Sequence, residues 1–313
     1  MKHSYFAIII LIILGTFSSN AQQDAQYTQY MYNTQVVNPA YAGSRDALSF
    51  GLLLRSQWVG LEGSPKTATF NASSPLGALA NMGIGLSIVS EEIGPGTESN
   101  INVDYSYSIQ TSDRSELSFG LKAGMSVLDI DFTKLNIYDI NDPRFQNNID
   151  NKIQPQIGAG VYYNTEKFYV GLSVPNFLTT QYYDPSSLTN ISSSEVAAKR
   201  LHYFLIAGYV FDITDNLKFK PATMIKAVSG APLQLDLSAN FLINEKFTIG
   251  ASYRLSAAMS GLLGFQASDQ LFIGFAYDYQ NTDIEYFSDG SYELMLRFEL
   301  FKKPERVLTP RFF

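Results

Sequence analysis

The sequence predicts an all-β fold, a transmembrane antiparallel up-and-down β-barrel of about 14 strands. Three observations support it. Apolar and polar residues alternate along most of the chain, an export signal precedes them, and the odd-numbered and even-numbered connections between the alternating segments differ in length. The clearest segment, 100–109, places apolar side chains at one parity and polar side chains at the other. A strand of a soluble sandwich also alternates, so the prediction depends on how often the pattern recurs.

The first 21 residues have the pattern of a secretory signal peptide. Lys2 precedes an apolar run over 6–14, and small residues before Ala21 form a cleavage site, so the mature protein is expected to begin at Gln22. An uncleaved anchor is the alternative, but the apolar core is short for a bilayer span, which needs about 20 residues. No later stretch is longer, so this chain would cross a membrane as strands.

The composition excludes several functional classes. A formal net charge of −7 argues against nucleic-acid binding, which depends on clustered Lys and Arg. The chain has no cysteine, so it forms no disulfide, thiol nucleophile or thiolate metal site. It contains 20 Tyr and 22 Phe but one Trp, a richness typical of the aromatic belts of membrane barrels. We therefore predict an exported bacterial outer-membrane protein.

Residues 22–44 form an irregular segment between the signal and the first strand. It is too aromatic for a disordered tail, and Asn38-Pro39 and Gly43-Ser44 mark turns. The segment is therefore expected to be ordered. A plug that enters the lumen from the periplasmic end and a short cap across the periplasmic mouth are both compatible with this sequence.

Period-two segments fill the predicted barrel domain, 45–301, and a tail of 302–313 follows it. The predicted strands are 46–57, 66–73, 81–91, 98–109, 116–128, 154–164, 167–175, 201–212, 217–228, 232–243, 246–255, 258–267, 270–280 and 291–301. The segment 201–212 is the least regular. Many Gly, Ser and Asn residues occupy the polar parity, and 14 strands enclose more space than eight, so the lumen has room for a segment of chain.

The connections give an independent test of the barrel. The second, fourth, sixth, eighth, tenth and twelfth are all short, whereas the two longest, 129–153 and 176–200, are the fifth and the seventh. Outer-membrane barrels have short periplasmic turns and longer extracellular loops. The sequence therefore places both termini in the periplasm and the two long loops outside the cell.

No catalytic residue, metal site or cofactor is predicted, and the protein is not expected to be an enzyme. A Ser-His-Asp set needs a histidine, and the mature chain has only His202. The acidic loop from Asp129 to Asp150 lacks the glycine that calcium loops require. Gly94 and Gly96 lie between strands, without the helix that phosphate binding uses.

Motifs along the mature chain resemble the PorP/SprF family of type IX secretion system membrane proteins of Bacteroidetes. The matching residues are Gln29-Tyr30-Met31, Asn33, the run from Asn38 to Ser44, Arg55, Gln57-Trp58, Gly60, Gly63, Pro65, Thr67, Asn141-Asp142-Pro143, Phe145, the run from Gly171 to Asn176, the run from Gly290 to Glu293, and Thr309-Pro310-Arg311-Phe312-Phe313. The resemblance covers essentially the whole mature chain. Thr309 stands where Ser is expected, and the run from Thr34 to Val37 stands where bulkier apolar residues are common.

The resemblance implies an outer-membrane barrel of the type IX secretion machinery. Such relatives serve the C-terminal sorting domains of large secreted surface proteins, gliding adhesins among them. The implied partners are a secreted surface protein of this kind, other type IX components, a peptidoglycan-binding periplasmic protein or lipoprotein, and outer-membrane lipids. Composition and spacing alone support only an exported barrel without catalytic groups.

Four groups of residues are predicted as partner-binding sites. They are an N-terminal motif (Tyr30, Met31, Asn33, Asn38, Pro39, Tyr41, Gly43), a first-hairpin motif (Arg55, Gln57, Trp58, Pro65), external-loop residues (Asp142, Pro143, Phe145, Pro175, Asn176) and a C-terminal tail (Pro310, Arg311, Phe312, Phe313). The loops are assigned to the exported partner, and the N-terminal motif and tail to periplasmic partners. Alternatively, the loops only roof the barrel and the tail only closes its lower rim.

Three other functions are compatible with parts of the sequence. A passive channel or small-molecule transporter would use the polar inward parity. A soluble β-sandwich adhesin would share the alternation, and an enzyme would depend on His202 alone.

Overall fold

Fourteen antiparallel strands form the architecture of the computed structural model, which describes residues 25–45, 47–77, 81–136, 148–178, 180–181, 198–199, 201–228 and 231–300. The strands are β1 (Leu48–Ser56), β2 (Lys66–Leu76), β3 (Met82–Ile93), β4 (Gly96–Ser112), β5 (Ser115–Ile130), β6 (Ile149–Thr165), β7 (Phe168–Val174), β8 (His202–Tyr209 and Phe211–Thr214), β9 (Leu217–Val228), β10 (Gln234–Ile243), β11 (Phe247–Arg254), β12 (Ala258–Gln266), β13 (Leu271–Gln280) and β14 (Ser291–Leu300).

Each strand pairs with its neighbours in sequence, and the first strand pairs with the last. β1 lies antiparallel to β14 from Leu48↔Leu300 to Ser56↔Tyr292, while β8 bridges β7 and β9. The sheet is therefore a closed barrel with no free edge. This confirms the predicted fold class, and all 14 predicted segments contain a barrel strand.

The barrel carries its polar side chains inside and its apolar side chains outside. In β4, Asn102, Asp104 and Ser106 are buried, whereas Val103 and Tyr105 are 50% and 44% exposed. An apolar outer surface suits contact with lipid, where a charged group near the bilayer midplane costs about 2–4 kcal/mol. The period-two pattern thus follows from a bilayer outside and a polar lumen inside.

Several strands extend beyond their predicted ends at one end of the barrel. β4 begins at Gly96 rather than 98, and β6 begins at Ile149 rather than 154. The extra residues of β6 continue the pairing with β5 up to Ile130↔Ile149. Outside the bilayer a strand needs no apolar face, so backbone pairing continues where the alternation has stopped. For the same reason, the two-residue strands Thr180–Gln181 and Ala198–Lys199 were not visible in the sequence pattern.

The connections define two different ends of the barrel. The end with 77–81, 113–114, 166–167, 215–216, 244–246 and 267–270 is called the turn end, and the end with 57–65, 94–95, 131–148, 175–201, 229–233, 255–257 and 281–290 is called the loop end. Every connection of the turn end is short, as predicted. The loop end contains both long connections but also two short ones, 94–95 and 255–257.

The helical turns in the described part of the chain are short. Three of them lie before β1, at Tyr30–Tyr32, Thr34–Val37 and Pro39–Tyr41, and two lie at the loop end, at Phe132–Lys134 and Asp283–Phe287. Across the described ranges, no helix combines the length and apolar character that a membrane crossing requires.

Candidate functional site inside the barrel

Residues 25–45, called here the N-terminal segment, lie among the inward-facing side chains of the strands. Gln29 and Asn38 are completely buried, and Tyr30 is 2% exposed. The last helical turn is fixed locally, because Asn38 Oδ1 accepts a hydrogen bond from Ala40 N at 3.0 Å and Pro39 occupies the first position of the turn. Short turns rather than a long helix let this segment change direction inside the lumen.

The first part of the segment binds a cluster of buried charges. Glu293 accepts hydrogen bonds from the backbone N–H groups of Thr28 at 2.6 Å and Gln29 at 2.9 Å. The Thr28 hydroxyl donates to both carboxylate oxygens of Asp278, at 2.7 and 2.8 Å. Arg55 lies between the two acids, 2.5 Å from Glu293 and 2.7 Å from Asp278. These three side chains, called the seam triad, are all at most 3% exposed.

The seam triad joins the first and the last strands of the barrel. Arg55 of β1 stands directly opposite Glu293 of β14, and Asp278 comes from the adjacent β13. A buried ion pair offsets its desolvation only when further hydrogen bonds satisfy the charged groups. The backbone N–H groups of Thr28 and Gln29 satisfy oxygens of Glu293, and the Thr28 hydroxyl satisfies Asp278. The N-terminal segment and the barrel closure therefore stabilise each other.

The middle of the segment crosses to the strands that follow β1. The Gln35 side chain donates to Asp104 at 3.1 Å and to the carbonyls of Ala72 and Leu86 at 3.3 and 3.2 Å. Lys122, 3.5 Å from Asp104, donates to the carbonyl of Val36 at 2.8 Å. A second buried ion pair is therefore also bonded to this segment.

The far wall of the barrel holds the turn at Asn38. The Asn38 amide donates to the carbonyl of Val161 at 3.1 Å, and the Ser173 hydroxyl donates to the carbonyl of Val37 at 2.6 Å. Gly120 lies so close to the backbone of Pro39 and Ala40 that a side chain there would collide with it. The inward glycine of β5 therefore makes room for the segment.

The segment ends at the turn end of the barrel. Arg45 pairs with Glu299, and Arg297, 3.3 Å from Glu299, lies over the ring of Phe272 at 4.8 Å. The last strand, β14, thus holds both ends of the segment.

The structure places all residues of one predicted group together inside the barrel and separates the residues of the first-hairpin motif. The seven residues of the N-terminal motif all lie inside the barrel, where Gly43 has a positive φ of 69° and lies against Gly83 and Ser74. Partner binding by this motif stays a prediction. Arg55 belongs to the seam triad, whereas Gln57, Trp58 and Pro65 lie in the connection 57–65, where Gln57 N donates to Pro65 O at 2.9 Å.

The remaining predicted residues lie at the ends of the barrel or outside the described residues. Pro175 and Asn176 follow β7, and Asn176 Oδ1 accepts from the Leu178 N–H at 3.0 Å. Asp142, Pro143, Phe145 and the tail residues Pro310 to Phe313 are outside the described residues. His202 is buried at the loop end of β8, with its ring stacked on Phe204 at a centroid distance of 6.3 Å.

The sequence analysis missed most of the buried charges that hold the segment. They are Asp104, Lys122, Asp278, Glu293, Arg297 and Glu299. Their signal was present, because each is a charged residue at the inward parity of a strand. The described residues contain no group of three or more His, Asp or Glu arranged to bind a metal ion. The donors and acceptors of this site instead match a polypeptide backbone.

Comparison with known proteins identifies the family. Residues 19–298 match the model of the type IX secretion system membrane protein PorP/SprF. The chain belongs to this family. The PorP/SprF match covers all 14 strands except the last two residues of β14, and it confirms the resemblance inferred from the sequence motifs. Among curated proteins, no relative matches this chain.

Solved structures similar to this PorP/SprF protein are outer-membrane barrels of low sequence identity. The toluene transporter TbuX of Ralstonia pickettii is 10% identical, with 86% of this chain and 92% of that chain covered and a TM-score of 0.46. The outer membrane protein Omp33 of Acinetobacter baumannii is 11% identical, with 82% and 100% covered and a TM-score of 0.44. A FadL homologue of Pseudomonas aeruginosa is 11% identical, with 86% and 93% covered and a TM-score of 0.43.

Arg55→Met should lower the free energy of unfolding by about 3–5 kcal/mol, because it leaves two buried carboxylates without their cation. Lys167→Met is the matched control, since Lys167 pairs with Asp212 at 2.9 Å but both side chains are about half exposed, and such pairs contribute about 0–1 kcal/mol. Urea titration of both variants in lipid vesicles, followed by Trp58 fluorescence, measures the difference. Equal effects of the two substitutions would contradict the role of the seam triad.

Gly120→Val should displace the N-terminal segment from the far wall, because its side chain would occupy the position of the Pro39-Ala40 backbone. The measurement is trypsin cleavage after Arg45, whose side chain is only 10% exposed in the native protein and which follows a stretch from Gln22 without Lys or Arg. Faster release of the peptide 22–45 is expected. The control is Gly261→Val, because Gly261 of β12 has open space around it. If both variants resist trypsin like the parent, the contact is not required.

Proposed function

We propose that this protein is a non-enzymatic outer-membrane component of the type IX secretion system that binds and anchors a secreted surface protein. It binds the C-terminal sorting domain of that protein and links it to periplasmic partners. Membership of the PorP/SprF family supports the secretion role. The observation that supports docking rather than conduction is the N-terminal segment, which is bonded to inward groups on β1, β4, β5, β6, β7, β13 and β14.

The bonds of the N-terminal segment argue for a closed lumen. Several charges that would line a water-filled pore, among them the seam triad and the pair of Asp104 and Lys122, are used by the backbone of residues 28, 29 and 36 and by the Gln35 side chain. Polar groups that are paired in this way are costly to separate. A barrel of this kind works as a rigid platform in the membrane, with partners at its two ends.

The two ends of the platform differ in shape. The loop end carries the long connections 131–148 and 175–201, which offer a variable surface to an exported protein. The turn end has only short connections, and β14 ends there at Leu300. We assign the tail, residues 302–313, to periplasmic partners. The external-loop and tail residues of the sequence analysis remain the proposed contacts, and we further propose cleavage of the signal after Ala21.

A passive channel or small-molecule transporter is the second candidate, and one observation favours it. Several buried polar atoms have no hydrogen-bond partner among the described residues, including the Gln29 amide, Asn102 Oδ1, Gln154 Nε2 and Asn240 Oδ1. Buried polar groups are normally satisfied, often by water. Water beside the N-terminal segment would provide a narrow route through the barrel.

Conductance distinguishes the two candidates. The intact protein in a planar bilayer should show no steady ionic current, because the N-terminal segment occupies the lumen. A variant that lacks residues 26–43 should conduct, because the polar wall is then open to water. A steady open current from the intact protein would favour the channel.

Affinity purification from detergent-solubilised outer membranes tests the docking function. Mass spectrometry of the intact protein should recover a large secreted protein with a C-terminal sorting domain, together with a peptidoglycan-binding periplasmic protein or lipoprotein. A variant without residues 182–197, part of the connection between β7 and β8, should lose the secreted protein and keep the periplasmic one. Recovery of the barrel alone, at normal membrane levels, would reject the proposal.

A further inference from the structure

We propose that the N-terminal segment runs through the lumen from the loop end to the turn end, so that the start of the mature chain is displayed on the cell surface. The sequence had suggested the opposite, a segment that faces periplasmic partners. This inference goes beyond the docking function, and display on the cell surface rests on the proposed orientation and on signal cleavage after Ala21. The path through the lumen follows from the order in which successive residues contact the strands.

The first described residues lie at the loop end. Gln26 donates to Gln234 at 3.0 Å, and Gln234 is the first residue of β10, on the side of the connection 229–233. Thr28 binds Asp278 and Glu293, which lie within three residues of the loop-end limits of β13 and β14. The chain therefore begins beside the long connections.

The following residues lie progressively closer to the turn end. Asn33 accepts from Asn71 at 2.9 Å, and Gln35 reaches Ala72 of the same strand, which runs toward the turn end. Ala42 accepts from Ser106 at 2.7 Å, and Arg45 pairs with Glu299, the second-last residue of β14. The long side chain of Tyr32 reaches ahead to Phe272 and Arg297 near the turn end. The backbone contacts run from Glu293 near the loop end, through Lys122, to Ser106.

The length of this path can be estimated along β14. Glu293 holds residues 28 and 29, and Glu299 holds Arg45. Six residues of a strand separate the two acids, which corresponds to about 20 Å along the tilted strand at about 3.3 Å per residue. The segment thus spans most of β14.

The mature N-terminus cannot return to the other side. Signal cleavage after Ala21 leaves residues 22–24 before Ala25, and three residues extend at most about 10 Å. That is about half of the distance along β14 between the two acids, and the segment itself already occupies the lumen. Because Gln26 bonds Gln234 at the loop end, we place the α-amino group at that end of the barrel.

Single cysteines test this inference, because the chain has none of its own. Gln23→Cys reports the N-terminus, Glu62→Cys reports an exposed loop-end connection, and Asp113→Cys reports an exposed turn-end connection. Intact cells are treated with a membrane-impermeant maleimide, and a second sample is treated after lysis. Heat-modified migration on a gel confirms that each variant forms a folded barrel.

In intact cells, Gln23→Cys should be labelled to the same extent as Glu62→Cys, while Asp113→Cys should gain its label only after lysis. Labelling of Gln23→Cys in the manner of Asp113→Cys would overturn the inference, and so would a cysteine that stays unlabelled in the lysate. If Glu62→Cys and Gln23→Cys both require lysis and Asp113→Cys does not, the path through the lumen is supported, whereas display on the surface and the proposed orientation are both rejected.

Discussion

The barrel depends on pairing polar groups in a closed space that has lipid on its outer side. Its apolar side chains face outward, so they cannot form an ordinary core, and the interior must be stabilised by hydrogen bonds and ion pairs. The N-terminal segment supplies both kinds of partner. It contributes backbone N–H groups to Glu293, a carbonyl to Lys122 and tyrosine rings to a small apolar cluster. Without it, buried charges would face water or one another.

The function proposed for this chain follows from the same arrangement. A wide barrel whose inner charges are already bonded is a poor conduit and a stable platform. Its two ends can then evolve separately, because short turns at one end and long connections at the other share no residues. Family membership supplies the secretion context, while the geometry supplies a reason why a PorP/SprF barrel needs no open pore to serve it.

The strands could be predicted well, because the bilayer imposes an alternation with a period of two. The predicted limits of β9, Leu217–Val228, agree with the structure at both ends. Prediction failed where this constraint stops, as at the protruding start of β6. The site was harder. The alternation alone could show that Asp278 and Glu293 face inward. Their ion pairs with Arg55, which is far away in sequence, become visible only once β1 is paired with β14. The sequence could not distinguish a plug in the lumen from a cap across the periplasmic mouth, because residues 22–44 lack a periodic pattern.

The contact between residues 28 and 293 also constrains how the molecule is made. Residues synthesised first must meet residues synthesised almost last, so the contact has a very high sequence separation, a property that slows folding. A segment inside a closed ring is topologically similar to a lasso. Either the ring closes around the tail, or the tail is drawn through a finished ring. The seam triad lies where the ring closes, so the first route lets one event lock both the tail and the wall.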